Sequence, residues 1–343
     1  MGKKKPSHIL IIRLSAMGDV AMSVPVIRAL TQQHPSTKIT VLTRAFFKPL
    51  FRDINHVSVF EADLKGKHRG ISGLWRLAKE LKSQNLDVVA DFHNVLRSNI
   101  LRFFFFFFKI PFFQIDKGRK EKKALIKGVK FQQLKSTHQR YADVLKKAGL
   151  AVNLSTPIFP ERKPLNKDLL NYIGKDTKKW IGIAPFAAFK GKMYPVDLME
   201  QVIDCLAEKH KVILFGAGKE EGIVLDKLSK NKPQVINFAN QFVLENELDV
   251  ISNLDVMLSM DSANGHLAAM LGISVITLWG VTHPYAGFYP FNQDEKNAVL
   301  ADRKQFPQIP TSVYGKKLPE GYDKAMRTIS PEVVVLKVEQ ILE

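Results

Sequence analysis

Short apolar runs alternate with helix-period stretches along almost the whole chain. HILIIR at 8–13 is apolar and β-branched, the pattern of a strand buried on both faces. VAMSVPVIRALTQQHP follows as a helix closed by Pro35. KITVLT (38–43), VSVF (57–60) and DVVADF (87–92) read as further strands, with a helix at 73–85 between the last two. The rhythm resumes with strands at 180–186, 211–216, 234–239, 255–260 and 274–280. Helices fall at 196–210, from Glu220 to about 230, at 245–253 and at 265–272. Such β-α-β alternation predicts an α/β chain of doubly wound parallel sheets. Pro157, Pro160 and Pro164 mark the join, because each ring removes a backbone donor. The predicted domains are 1–160 and 161–328, with a terminal helix over 329–343 that Ser330 caps and Pro331 starts.

Ligands of open α/β sheets bind beyond the carboxyl ends of the strands, and two such sheets facing each other make a cleft. Strand ends therefore carry the candidate chemistry. After the first strand come Ser15, Ala16, Met17, Gly18 and Asp19. Asp19 is either a capping acid matched to the helix dipole or a carboxylate able to act as general base. After the strand at 255–260 come Asp261, Ser262, Ala263, Asn264, Gly265 and His266. Their amides at a helix start suit a phosphate, whereas each residue alone is equally a cap or a core group. Lys190 and Lys192 follow the strand at 180–186, either as solvated lysines or as cations for an anionic leaving group. FGAGKEEG at 215–222 is a turn with acids matched to a helix start, or a nucleoside site. No G-x-G-x-x-G follows any strand, which argues against an ordinary dinucleotide enzyme.

Composition alters this picture in three ways. The chain has 343 residues, 45% of them apolar, enough for two ordinary cores. A single cysteine, Cys205, rules out an internal disulfide, and the scattered His68, His93 and His138 make no metal motif. No run approaches the ~20 apolar residues that span a bilayer, and the basic start lacks a signal-peptide core. Net charge is +18 and uneven: residues 1–160 hold 29 basic against 10 acidic side chains, and 161–343 hold 22 against 23. The first half is built to meet a polyanion: nucleic acid, anionic membrane or a phosphorylated substrate. Its oddest stretch runs over 94–130, where Phe103–Phe108 are consecutive and Phe112 and Phe113 follow. Either a buried strand or helix holds several of these rings, or some lie at the surface beside the lysines, as suits an anionic lipid surface or an acidic acceptor on a lipid anchor.

RLSAMGDVAMSVPVIRAL (13–30), KMYP (192–195) and SMDSANGHLAAMLGISVITLWGVTHP (259–284) together resemble the glycosyltransferase family nine heptosyltransferases, which build the inner core of bacterial lipopolysaccharide. The match in motif order runs across nearly the whole chain. The resemblance implies the GT-B fold, two Rossmann-like domains facing a cleft, with the terminal helix packed back on the first domain. It implies inversion at the sugar carbon without a metal or other cofactor. Asp19 then matches the general base and Lys192 the cation that offsets the departing diphosphate. Asp261, Ser262, Ala263, Asn264, Gly265, His266 and Thr282 match the ADP-sugar side, with Phe242 near the adenine. Ser15, Gly18, Arg97 and Ser98 fall on the acceptor side, where Lys120, Lys122 and Lys123 are candidate clamps for acidic groups. The implied partners are an ADP-sugar donor, a lipid-linked acidic acceptor of the lipid A-Kdo type and the anionic inner-membrane surface. The implied location is cytoplasmic, peripheral on that membrane. Two departures stand out. The usual Asp-Ser/Thr-Gly turn is Asp261-Ser262-Ala263, and Ala263 lacks glycine's freedom at positive φ, so a reshaped turn is expected. Gly280-Val281-Thr282-His283-Pro284 replaces an acid by His283. The alternatives are a transferase of the same fold with another nucleotide sugar, a basic nucleic-acid binder, for which no module is visible, and a catalytically silent binding protein.

Overall fold

The structure is a computed structural model that describes residues 5–343. Two compact units divide it: residues up to Lys117 with Thr137–Ile158, and Gly118–Ser136 with Phe159–Glu343.

In the first unit the elements are β1 (His8–Ile12), α1 (Met17–Gln33), β2 (Lys38–Thr43), β3 (Val57–Glu61), α2 (Gly70–Lys82), β4 (Val88–Asp91), α3 (Leu96–Phe107) and β5 (Phe112–Gln114). The strands form one parallel sheet in the order β3-β2-β1-β4-β5. Every residue of β1 and β4 is buried, as expected of central strands covered on both faces. Helix α2 turns Leu74, Leu77, Ala78 and Leu81 inward at helical spacing, where they join Leu10, Ile12, Val89 and Phe105 in the core. The strand order reverses between β1 and β4, so their carboxyl ends form a switch point where a crevice opens.

Helix α4 (Arg119–Ile126) lies in the excursion that joins the second unit, and α5 (Thr137–Lys147) returns to the first. The second unit continues with α6 (Lys167–Ile173), β6 (Trp180–Ala184), α7 (Val196–Ala207), β7 (Lys211–Leu214), α8 (Lys219–Ser229), β8 (Val235–Asn237) and α9 (Leu244–Ile251). It ends with β9 (Val256–Met260), α10 (Ala263–Met270), β10 (Ser274–Trp279), β11 (Ala298–Leu300) and α11 (Pro331–Leu342). Its parallel sheet runs β11-β10-β9-β6-β7-β8, with the switch point between β6 and β9.

Two expectations about organisation change. Residues 118–136 were assigned to the first domain but pack in the second unit, because Leu125 and Leu134 bury against Ala286 beside Tyr285 and Phe288. The Leu134 amide also donates to the Tyr285 carbonyl. The terminal helix α11 was expected on the first domain; Val334 and Val338 instead complete the core of the second unit against α7. Glu339 meets His210 at 3.1 Å there, and Ser330 accepts from the Val333 amide at its start.

Candidate functional site

Each switch point holds one cluster of polar side chains. In the first unit α1 begins at Met17, so Asp19 is its third residue and lies in the first turn. Ala16 at the cap position supplies no side-chain acceptor. Arg13, directly after β1, ion-pairs through Nη2 with Oδ2 of Asp19. Its Nη1 donates to the Phe92 carbonyl at 2.6 Å, beyond β4. Arg13 is 5% exposed, so this guanidinium ties the acid to the two central strands. Among the described residues Oδ1 of Asp19 accepts no hydrogen bond, and the carboxylate is about a third exposed. The acid is held by one oxygen and open at the other. Tyr141 supports the turn from α5: its hydroxyl donates to the Asp19 carbonyl at 3.2 Å and its ring stacks on Phe92.

His93 lies at the end of β4, with Nε2 3.4 Å from Ser15 Oγ. Burial, then the charges of Arg13, Lys117, Arg97 and Arg44, press its pKa down to about 3. It is therefore neutral at pH 7. The four cations that repel a proton there attract an anion to the same strand ends. Ser15 lies beside His93, Gly18 precedes Asp19 in the first turn of α1, and Arg97 is exposed at the start of α3. Ser98 is turned inward. Fully buried, it caps its own helix, accepting from the Val95 amide at 2.9 Å and donating to the Val95 carbonyl. Lys120 and Lys123 are exposed on α4, but Lys122 is 6% exposed with its ammonium 3.9 Å from the Phe288 ring centre. It is a packing residue of the second unit, not a surface clamp.

The second cluster follows β6 and β9. Lys192 Nζ lies 2.9 Å from Oδ2 of Asp261, and Thr282 Oγ1 donates to the same oxygen at 2.9 Å. The lysine and aspartate side chains are 12% and 10% exposed. Backbone proximity sets this geometry. The Val281 amide donates to the Gly191 carbonyl, and a Cβ on Gly280 would sit 2.2 Å from that carbonyl oxygen. Only glycine at 280 lets the Lys192 turn lie against the end of β10. Oδ1 of Asp261 accepts no hydrogen bond among the described residues, so this acid is also anchored by one oxygen.

Ser262 occupies the cap position of α10 with an extended backbone and makes no side-chain cap bond; its hydroxyl lies 3.1 Å from that of Ser259. Ala263 is the first helical residue and has no positive φ, so the reshaped turn expected there is simply a helix start. The amides of Ala263, Asn264 and Gly265 are left without a side-chain cap, a ready site for an anionic group. His266 is buried on the same helix. Phe242, before α9, is half-buried and stacks on Phe238 at 5.0 Å, with Tyr172 edge-on at 5.3 Å. Among the described residues no three His, Cys, Asp or Glu side chains gather as metal ligands.

Sequence reasoning missed Arg13, Arg44, Tyr141 and the Gly191–Gly280 contact. Arg13 and His93 were legible in principle, since both directly follow strands that end at the same switch point.

The profile described as "Glycosyltransferase family 9 (heptosyltransferase)" matches residues 74–317. A lipooligosaccharide heptosyltransferase 2 of Haemophilus influenzae is 25% identical over 98% of this chain and 99% of its own length. Among solved structures, a family 9 glycosyl transferase from Veillonella parvula superposes with a TM-score of 0.75 at 19% identity, covering 98% of this chain and 97% of its own. The Escherichia coli heptosyltransferase WaaC, solved with ADP-2-deoxy-2-fluoro heptose, superposes at 0.66 with 16% identity, covering 97% and 99%. The two parallel sheets are those of the GT-B architecture. The chain belongs to glycosyltransferase family 9, the heptosyltransferase family, and is an enzyme of that family.

Proposed function

We propose that this enzyme moves a heptose from an ADP-sugar to an acidic, lipid-linked acceptor of the lipopolysaccharide inner core, with inversion at the anomeric carbon. The curated relatives are named for that class of acceptor, and WaaC was solved with an ADP-heptose analogue. The observation that carries the reading is the Lys192–Asp261–Thr282 constellation beside the uncapped start of α10.

The donor's diphosphate binds the free amides of α10, where the helix dipole and oriented N–H groups favour negative charge. Lys192 meets the charge that develops as ADP departs. Asp261 holds the ammonium in place through Oδ2 and offers Oδ1 to a sugar hydroxyl. Phe242 lies against the adenine. On the acceptor side Asp19 takes the proton of the attacking hydroxyl on its open oxygen. The hydroxyl oxygen bonds to the anomeric carbon, the bond from that carbon to the phosphate oxygen breaks, and the electron pair leaves with ADP. Arg13 positions the base. Arg44, Arg97, Lys117, Lys120 and Lys123 supply positive charge for the acidic sugars. The enzyme works at the cytoplasmic face of the membrane that carries the acceptor's lipid.

The test is direct. The full chain is incubated with ADP-heptose and a Kdo-bearing lipid A, while ADP release and the product's mass are followed. One heptose added per ADP released is expected. Turnover of a different nucleotide sugar in preference to ADP-heptose would overturn the donor assignment. Absence of any nucleotide binding would overturn the whole reading.

A further inference from the structure

The phenylalanine run divides into two faces. In α3, Phe104 and Phe105 are buried in the core of the first unit, while Phe103, Phe106 and Phe107 are 59%, 75% and 60% exposed. Leu96, Phe103 and Phe107 recur at helical spacing on the exposed side of α3 with Phe106 beside them, while Ile100 between them is half-buried against the core. Helix α2 packs beside α3 and adds exposed Ile71 and Trp75, whose indole meets Phe104 edge-on at 5.0 Å. Ring contacts run from Trp75 through Phe104 to Phe103, Phe107 and Phe106, so the exposed rings of the two helices adjoin rather than scatter.

Its margin is basic. Arg76, Lys79 and Lys82 on α2, Arg97 and Arg102 on α3 and Lys109 beyond it are all exposed on the elements that carry the rings. The Lys82 ammonium lies 4.6 Å from the Phe108 ring centre and that of Lys79 lies 5.7 Å from Trp75. Each ammonium thus lies over an aromatic face, a cation–π contact that keeps a charge beside the rings. Glu80, the one acid in these two helices, is engaged by Lys67 and His68.

We infer that the outward face of α2 and α3 docks on a lipid bilayer bearing anionic headgroups, the phenylalanines entering the headgroup–acyl boundary and the cations resting on the headgroups. Charge complementarity selects this occupant. A second copy docking through the same face would set six cations against six. A bilayer takes both features at once, because rings at that depth and basic residues beside anionic lipid each favour binding. No helix among the described residues is long and apolar enough to cross a membrane, so the contact is interfacial. The inference deepens the lipid-linked acceptor reading, on which its biological purpose rests.

The experiment is co-sedimentation of the full chain with vesicles of phosphatidylcholine containing phosphatidylglycerol, or of phosphatidylcholine alone. A parallel arm uses brominated acyl chains to quench Trp75. Binding to the anionic vesicles with quenching is expected. Phe103→Gln/Phe106→Gln/Phe107→Gln lowers it by at least about tenfold. Arg76→Gln/Lys79→Gln lowers it by about 30-fold on anionic vesicles and little on neutral ones. Unchanged binding in the phenylalanine variant overturns the inference, as does failure of the wild type to bind. A dimer that this variant dissolves, without vesicle binding, overturns it in favour of a second copy. Sugar transfer to an acyl-free acceptor, measured on the same samples, separates the two readings. Vesicle binding without transfer removes the proposed donor and acceptor alone; transfer without vesicle binding removes the docking face alone.

Discussion

Replacing Lys192 with methionine tests whether the Lys192–Asp261 pair organises the donor half of the site. The two side chains are 12% and 10% exposed, so the substitution leaves a nearly buried carboxylate without its cation. Removing one partner of a buried pair costs about 3–5 kcal/mol. Asp261 keeps the Thr282 hydroxyl at 2.9 Å, which places the expected loss at the lower end or below, about 2–3 kcal/mol. For a unit of this size that is a fall in melting temperature of about 5–10 °C. The assay is a double-mutant cycle by urea unfolding at pH 7, with Asp261→Asn as the second arm. The double variant is expected to be more stable than Lys192→Met alone, since the asparagine leaves no unpaired charge. Additive losses, or no loss in Lys192→Met, would refute the coupling and with it the pre-set position of the ammonium.

Three further outcomes follow from the same structure. His93 titrates near 3 in the fold against about 6.5 when unfolded, so below pH 6.5 the unfolded chain gains a proton that the native chain refuses. Stability therefore falls as pH drops from 6.5 towards 3, by roughly 2–3 kcal/mol at pH 4.5; denaturant titrations should show His93→Gln losing much less over that range. Phe105→Ala should cost about 3–5 kcal/mol because the ring is fully buried, whereas Phe106→Ala, at 75% exposure, should stay within about 0.5 kcal/mol. Arg13→Met should lower kcat while leaving KM for the donor nearly unchanged, because it frees the acid it positions; an unchanged kcat would reduce Arg13 to a scaffold role.

The central strands were legible because burial on both faces leaves a continuous apolar run, as in β1 and β9. The three-residue edge strands β5 and β11 were not. Asp19, Lys192 and Asp261 were legible as residues at strand ends, and Thr282 only through the family resemblance. Their pairing was not, because Lys192 and Asp261 lie 69 positions apart and meet only through the sheet order and the Gly191–Gly280 approach. The same limit explains Ser98 and Lys122. A polar side chain near a strand end reads alike whether it faces solvent, caps its own helix or lies over Phe288. The placement of α11 was also hidden, since its valines state that a face is buried but not against what.

The claim on which the account turns is that Asp19, anchored by Arg13 through one oxygen, takes the acceptor's proton with the other. The turnover number of Asp19→Asn with saturating ADP-heptose and acceptor tests it most directly, alongside the affinity of the same variant for ADP. A fall in turnover of about 10²–10⁴-fold with nucleotide affinity unchanged is expected. Turnover at the wild-type rate would contradict it.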